Sequence, residues 1–137
     1  MNNQNIETIN IKFNKIFIVM VNYIATKDPS SFFGTYNQFI LDYVKNDPTG
    51  PLTLFINNIY SNDEYRIKIK NGDDSFFMNQ SFDIDKNNNA LIKQIFDFKQ
   101  LWLSLDDICK SYIKNIMLKL TIISESYINL LCDINNL

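Results

Sequence analysis

The last quarter of the chain, Ser104 to Leu137, carries a repeat that constrains the fold more than any other stretch. Apolar residues recur there at alternating steps of four and three positions, and neither Gly nor Pro interrupts them. This spacing places their side chains on one face of an α-helix. Ser104 can cap the start and Asp107 favours the first turn, so we expect one long C-terminal helix. The repeat runs through Cys109, Ile113, Ile116, Leu120, Ile123, Tyr127, Leu130 and Ile134.

This apolar face has two interpretations. It can be the seam against other helices of the same chain, or it can form a homodimeric coiled coil. Neighbouring positions such as Met117, Ile122 and Leu131 are also apolar, which makes the face wider than a two-stranded seam requires. We therefore expect packing within the chain, with a homodimer through the same region as the alternative. The candidate partner or dimer face consists of Cys109, Ile113, Ile116, Leu120, Ile123 and Tyr127.

Proline and glycine residues divide the remaining chain into shorter helical segments. Pro29 suits the first turn of a helix, where its missing N–H costs nothing, and Asp28 can cap that helix. The sequence therefore predicts an all-α fold, a compact bundle of five to six helices in a single domain over residues 1–137, with the long C-terminal helix at its centre. The other predicted helices cover residues 6–26, 29–45, 51–60 and 89–103, after a frayed N-terminus at residues 1–5.

The segment 62–71 is ambiguous. Apolar and basic residues alternate from Tyr65 to Lys70, which is typical of a half-buried strand. No partner strand is evident nearby, and an isolated strand would leave its backbone groups unpaired. We expect a short helix that ends at Gly72, with an edge strand as the alternative. Residues 73–89 are predicted to form a long irregular connection.

The composition argues against an enzyme. Histidine is absent, which removes the commonest general base near neutral pH and the commonest zinc ligand. With 3 glycines in all, the chain has no glycine-rich phosphate loop. Cys109 and Cys132 lie 23 residues apart on the same predicted helix, roughly 35 Å, which is too far for a disulfide bond. We expect no catalytic residue and no cofactor.

Acidic residues in the 73–89 connection offer weak candidates for a metal site. Asp83, Asp85 and Asn87 match the first three ligand positions of an EF-hand loop. The glycine and the bidentate glutamate that complete such a loop are missing, so we expect no bound metal. A metal-dependent enzyme is the alternative, and it would require Asp73 and Asp74 to converge with Asp83 and Asp85 in one pocket.

A short basic stretch offers a different function. Arg66, Lys68 and Lys70 can neutralise phosphates, and the ring of Tyr65 can stack on a base. Carboxylates flank the stretch on both sides, and the formal net charge of −2 gives the whole molecule no attraction to nucleic acid. We do not expect nucleic acid as a partner, but a nucleic-acid-associated factor is the alternative function.

The first predicted helix raises the question of secretion or membrane insertion. Residues 16–21 are apolar all round, and Lys12 and Lys15 precede them. The apolar run ends at Asn22 without a small-residue cleavage site, unlike a signal peptide. It is also far shorter than the ~20 residues that cross a bilayer. We expect neither secretion nor a transmembrane segment.

Several stretches, taken in their order along the chain, resemble one protein family. They are Phe13-Asn14, Asp47 to Phe55, Asp73 to Phe77, and Leu101 to Leu105. Over about residues 10–130 the chain is similar to a group of short uncharacterised helical proteins of nucleocytoplasmic large DNA viruses, the giant viruses. The resemblance implies a viral origin and a mostly helical fold, and it assigns no catalytic or binding residue. Abundant Asn and Ile with little Ala, as an AT-rich genome would encode, agree with that origin.

These observations together predict a non-enzymatic viral module for protein interaction or structure. The aromatic fraction of 14% supplies helical surfaces that can bind a host or viral protein partner. The resemblance implies a location in the host cytoplasm or in the virion.

Overall fold

The structure, a computed structural model, describes residues 3–78, 95–96 and 98–135. Within these residues every regular element is a helix, and the predicted all-α fold is confirmed. Segment 62–71 forms a helix rather than an edge strand, and Gly72 (φ 66°) follows it. The elements are α1 (Asn3–Lys27), α2 (Phe32–Thr35), α3 (Asn37–Asn46), α4 (Gly50–Phe55), a π-helix (Ile56–Tyr60), α5 (Asp63–Lys70), α6 (Ser75–Met78), α7 (Lys99–Ser104) and α8 (Asp107–Asn135).

The two longest helices, α1 and α8, run antiparallel and form the framework of the fold. Ile9, near the start of α1, lines the same groove as Leu130, near the end of α8. Near the other end, the Tyr23 hydroxyl lies 3.3 Å from the Sγ atom of Cys109 in the first turn of α8. α8 packs most extensively on α1, and α5 and the π-helix contact it as well. The long C-terminal helix is therefore central, as predicted.

The inner stripe of α8 is part of the core. Cys109, Ile113, Ile116, Leu120 and Ile123 are each at most 6% exposed, and Tyr127 is half-buried against the same core. This is the face that the sequence offered for a partner or for a homodimer. In the structure it packs within the chain, so a partner cannot reach it without unfolding the bundle.

Aromatic rings fill the rest of the core in two connected groups. Phe17 of α1 contacts Phe96 at a ring distance of 5.6 Å, and Phe96 contacts Phe55 of α4 at 5.4 Å. In the second group, the ring of Phe98 stacks on the ring of Phe33 of α2 at a distance of 6.0 Å. Tilted and edge-to-face geometries dominate, which are the arrangements that aromatic rings prefer. Ring contacts thus join α4 and Phe96 to α1, and they join Phe98 to α2.

The prediction of one continuous helix over 89–103 is wrong at Phe98. Residues 79–94 and 97 lie outside the described residues, but Phe98 has φ −94° and ψ 4° and stands before α7 as its N-cap. Phe96 and Phe98 are both fully buried, against different rings. In a continuous helix, residues two apart point in directions roughly 200° apart. The break lets both side chains enter the core.

The prediction of one helix over 29–45 is also wrong. α2 begins at Phe32, and its cap is Ser31, whose hydroxyl accepts from the backbone N–H of Gly34 at 3.3 Å. The turn before it packs so closely that a Cβ atom at Gly34 would overlap the carbonyl group of Pro29. Tyr36, with φ −110° and ψ 27°, separates α2 from α3. The helix therefore does not start at Pro29 as expected. A turn precedes it, which the Ser31 hydroxyl caps and for which Gly34 leaves the necessary space.

The start of α8 is capped by Asp106 and not by Ser104. The backbone N–H of Cys109 donates to Asp106 Oδ1 at 2.8 Å. Ser104 ends α7 instead, where its hydroxyl donates to the carbonyl oxygen of Leu101 at 3.0 Å. Because the Cys109 N–H stabilises the charged form, the pKa of the Asp106 carboxyl lies below its usual value of 3.8.

We expect Asp106→Ala to lower the urea midpoint of unfolding at neutral pH, since it removes the cap of the longest helix. The pKa of the carboxyl is lowered in the folded state, so its contribution is present above pH 3.8 and is lost as the pH falls through the lowered value. The difference from the wild type should therefore shrink at acidic pH. Asp107→Ala, which removes the neighbouring exposed carboxylate, is the control. Equal losses in the two variants would show that the hydrogen bond of Asp106 adds nothing to the effect of a negative charge near the helix start.

Candidate protein-docking face

The basic stretch singled out in the sequence is engaged within the chain. Its three cations form ion pairs, which are Arg66–Asp63 at 2.6 Å, Lys68–Glu64 at 3.1 Å and Lys70–Glu125 at 3.4 Å. Lys68 also projects from roughly the opposite side of α5 to Arg66 and Lys70, because it lies two residues from each. Tyr65 is half-buried with its ring edge-to-face on Phe76 at 5.2 Å. These side chains do not form one open basic stripe.

The acidic residues considered for a metal site bind other groups of the chain wherever the structure describes them. Asp73 accepts the backbone N–H of Ser75 at 2.9 Å, and that bond lowers the pKa of its carboxyl. Asp74 forms an ion pair with Lys114 at 2.6 Å. Asp83, Asp85 and Asn87 lie outside the described residues. In residues 3–78, 95–96 and 98–135, no three Cys, Asp or Glu side chains come together as a metal site would require.

A different surface stands out, on the outer side of the α1/α8 pair. Val19 is 48% exposed and Ile122 is 50% exposed, although each lies on a helix whose other side is fully buried. Tyr112 is also exposed on the same side of α8. We call this surface the α1/α8 face, and it comprises Lys12, Ile16 and Val19 of α1 with Tyr112, Lys119 and Ile122 of α8.

A groove runs between the two helices along this face. Ile16 and Ile123 form its apolar floor, Ile122 lies on the α8 wall, and one lysine stands on each helix, Lys12 on α1 and Lys119 on α8. Ile123 is almost fully buried, so the floor is continuous with the core. Lys12, Ile16 and Val19 follow steps of four and three residues, which places them on one side of α1. The groove therefore combines an apolar centre with a cation on each wall.

Beyond one end of the groove, two aromatic rings join α1 to α8. Tyr23 and Tyr112 face each other across the helices at a ring distance of 4.1 Å. The Tyr23 hydroxyl donates to Cys109 Sγ, and this bond, together with burial, raises the pKa of Tyr23 to about 12. The Lys27 ammonium lies 5.6 Å from the centre of the Tyr23 ring. In the opposite direction, a separate pocket between the same helices is lined by Asn5, Thr8, Ser126, Asn129 and Asp133 beside Ile9 and Leu130.

The two lysines of this face have no ion pair. Lys12 and Lys119 are exposed, and within the described part of the chain neither lies within 4.0 Å of a carboxylate oxygen, which holds for Lys27, Lys45 and Lys110 as well. The cations of α5 and Lys114 all do. No acid of the described residues therefore neutralises the charge of Lys12 and Lys119.

Reasoning from the sequence missed this face. The run from Ile16 to Val21 is apolar all round, yet Val19 within it is exposed. Ile122 was expected to widen the buried face of the last helix, and it points outward instead. The available signal was Lys12, which lies seven residues before Val19 and therefore on the same side of α1, because a lysine marks that side as open to solvent.

Comparison of the chain with protein-family models, with curated proteins and with solved structures gave no match. No described helix has both the length and the apolar character needed to cross a bilayer.

Proposed function

We propose that this protein is a non-enzymatic interaction module that binds a helix of a partner protein in the groove of the α1/α8 face. One observation carries the proposal: a groove with an apolar floor lies open between the two longest helices, and the lysines on its walls have no carboxylate partner among the described residues. Exposed apolar side chains grouped in a groove are typical of binding surfaces.

The shape of the groove favours a helix as the occupant. Two adjacent antiparallel helices leave a furrow between them, and the side chains of a third helix can pack into it as ridges into a groove. Ile16 and Ile122 lie at the middle of the face, where apolar anchors contribute most to binding, and Lys12 and Lys119 form a polar rim. Recognition of an amphipathic helix by a hydrophobic groove is a recurrent mode of protein interaction.

A viral origin, and action in the virion or in the host cytoplasm, are the finer part of this proposal and rest on the sequence resemblance alone. Nucleic-acid binding through Arg66, Lys68 and Lys70 ranks second, because each of these cations already has a carboxylate partner.

The test compares Ile122→Asp, on the α1/α8 face, with Phe39→Asp, on α3. Phe39 is 58% exposed and Ile122 is 50% exposed, so the two substitutions are matched in exposure and in charge. Tagged wild type and both variants are crosslinked in the cells that naturally produce the chain, and the proteins captured by each are quantified. A protein captured by wild type and Phe39→Asp but lost with Ile122→Asp is then purified, and its affinity for all three chains is measured.

We expect that Ile122→Asp weakens this affinity by at least about tenfold, because a carboxylate would replace an apolar anchor, while Phe39→Asp changes it little. The proposal is overturned if no captured protein distinguishes the two variants, or if the purified protein binds Ile122→Asp as tightly as the wild type. Circular dichroism of each variant verifies that the fold is intact.

A further inference from the structure

We infer that the helix bound by the α1/α8 face is acidic and amphipathic, with carboxylates on both sides of its apolar stripe; this inference rests on the proposed function. The chemistry of the groove walls supports it. Lys12 and Lys119 face the groove from opposite helices, and the apolar floor of Ile16 and Ile123 lies between them. A helix seated on that floor brings its two flanks to the two lysines, and glutamate or aspartate there would pair with both.

Among the described residues, no acid pairs with the lysines of the face. The whole chain carries a formal net charge of −2, but the acids found in ion pairs, Asp63, Glu64, Asp74 and Glu125, bind the cations of α5 and Lys114. Lys12 and Lys119 remain without such partners among the described residues. A partner with carboxylates at this place complements the face, whereas a basic partner is repelled.

The distance between the features that flank the groove sets the length of the partner helix. Between the same two helices, a separate polar pocket with Asn5 and Asp133 follows the groove in one direction, and the Tyr23 and Tyr112 rings meet beyond it in the other. Eighteen residues of α1 separate Asn5 from Tyr23, which is about 27 Å at the usual helical rise. A partner helix of about five turns spans this distance, with its apolar residues at i, i+3, i+4 and i+7 over the groove of Ile16 and Ile123.

Two other occupants fit the face less well. A second copy of this chain, docked through the same face, would bring lysines opposite lysines. An anionic bilayer is attracted by the lysines, but it presents a broad surface to a groove whose floor includes the nearly buried Ile123. Both occupants are distinguishable from an acidic helix by experiment.

The experiment uses the full chain and two synthetic peptides of about five helical turns. Both carry the same leucine stripe, and one has glutamate and the other lysine at the flanking positions. Binding is measured by fluorescence anisotropy of labelled peptide for the wild type, for Lys12→Glu/Lys119→Glu, and for Lys45→Glu as the control. Lys45 is an exposed lysine on α3, away from the groove. Vesicles containing phosphatidylserine form a third arm, and sedimentation reports the oligomeric state of the free chain.

We expect the glutamate peptide to bind, the lysine peptide to bind at least about tenfold more weakly, and the double charge reversal to exchange this preference. Lys45→Glu should behave as the wild type. The inference is overturned if both peptides bind equally, if neither binds, if the double reversal has no effect, or if only vesicles bind or the chain dimerises through this face. A natural partner that is lost with Ile122→Asp but does not respond to Lys12→Glu/Lys119→Glu would overturn the acidic helix and leave the proposed function standing.

Discussion

Leu120→Asp is expected to unfold the protein at neutral pH, whereas Ile122→Asp should leave it folded. Leu120 is 0% exposed on the inner stripe of α8, so an aspartate there would be an unpaired carboxylate inside the core. Substitutions that bury an unpaired charge are among the most destabilising, and we expect a loss of more than about 4 kcal/mol. The free energy of unfolding of a native domain is about 5–15 kcal/mol, so this loss is a large part of it. Far-ultraviolet circular dichroism and urea unfolding measure both variants.

Ile122 provides the matched control because the same substitution is made two residues away on the same helix. Its side chain is 50% exposed, so the new carboxylate stays hydrated and the expected change is within about 1 kcal/mol. The sequence alone does not separate these positions, since both belong to the wide apolar face of the last helix. A folded Leu120→Asp protein would mean that the inner stripe of α8 is not the core.

Phe17→Ala should give the second large effect, a decrease of about 3–5 kcal/mol in the free energy of unfolding. Phe17 is fully buried, and its ring contacts Phe96 at 5.6 Å and Phe13 at 6.5 Å. Removing it leaves a cavity at the point where α1 meets the residues before α7. Urea unfolding of the full chain gives the value.

Phe39→Ala is the control for this prediction, because it removes the same ring from a position that is 58% exposed. We expect a change of less than about 0.5 kcal/mol there. Similar losses in the two variants would contradict the burial pattern, and a small loss at Phe17 would show that the aromatic core around Phe96 is not formed.

Much of the fold was predictable because local patterns determine it. The uninterrupted repeat in α8, the end of α5 at Gly72, and the proline turn before α4 are each encoded within a few residues. The positions at which helices break were harder to predict from the sequence. The break at Phe98 depends on which distant rings Phe96 and Phe98 contact, and periodicity carries no information about that.

The candidate site could not be predicted from the sequence, because it arises from pairing between distant parts of the chain. Lys12 and Lys119 flank one groove only because α1 and α8 run antiparallel in this register. Likewise, the ion pair of Lys70 with Glu125 joins residues far apart in sequence. Because of it, a lysine that the sequence offered for phosphate binding already has a carboxylate partner. Hydrophobicity also did not show which apolar residues are left uncovered, as Val19 illustrates.

The most direct test of the α1/α8 face is amide chemical-shift mapping by NMR of the full chain, with and without the glutamate peptide. We expect the largest shifts in α1 from Lys12 to Tyr23 and in α8 from Tyr112 to Ile122, on the outer side of both helices, and little change in α5. Shifts centred on Arg66, Lys68 and Lys70, or no localised shifts at all, would contradict the assignment of the binding surface to this face.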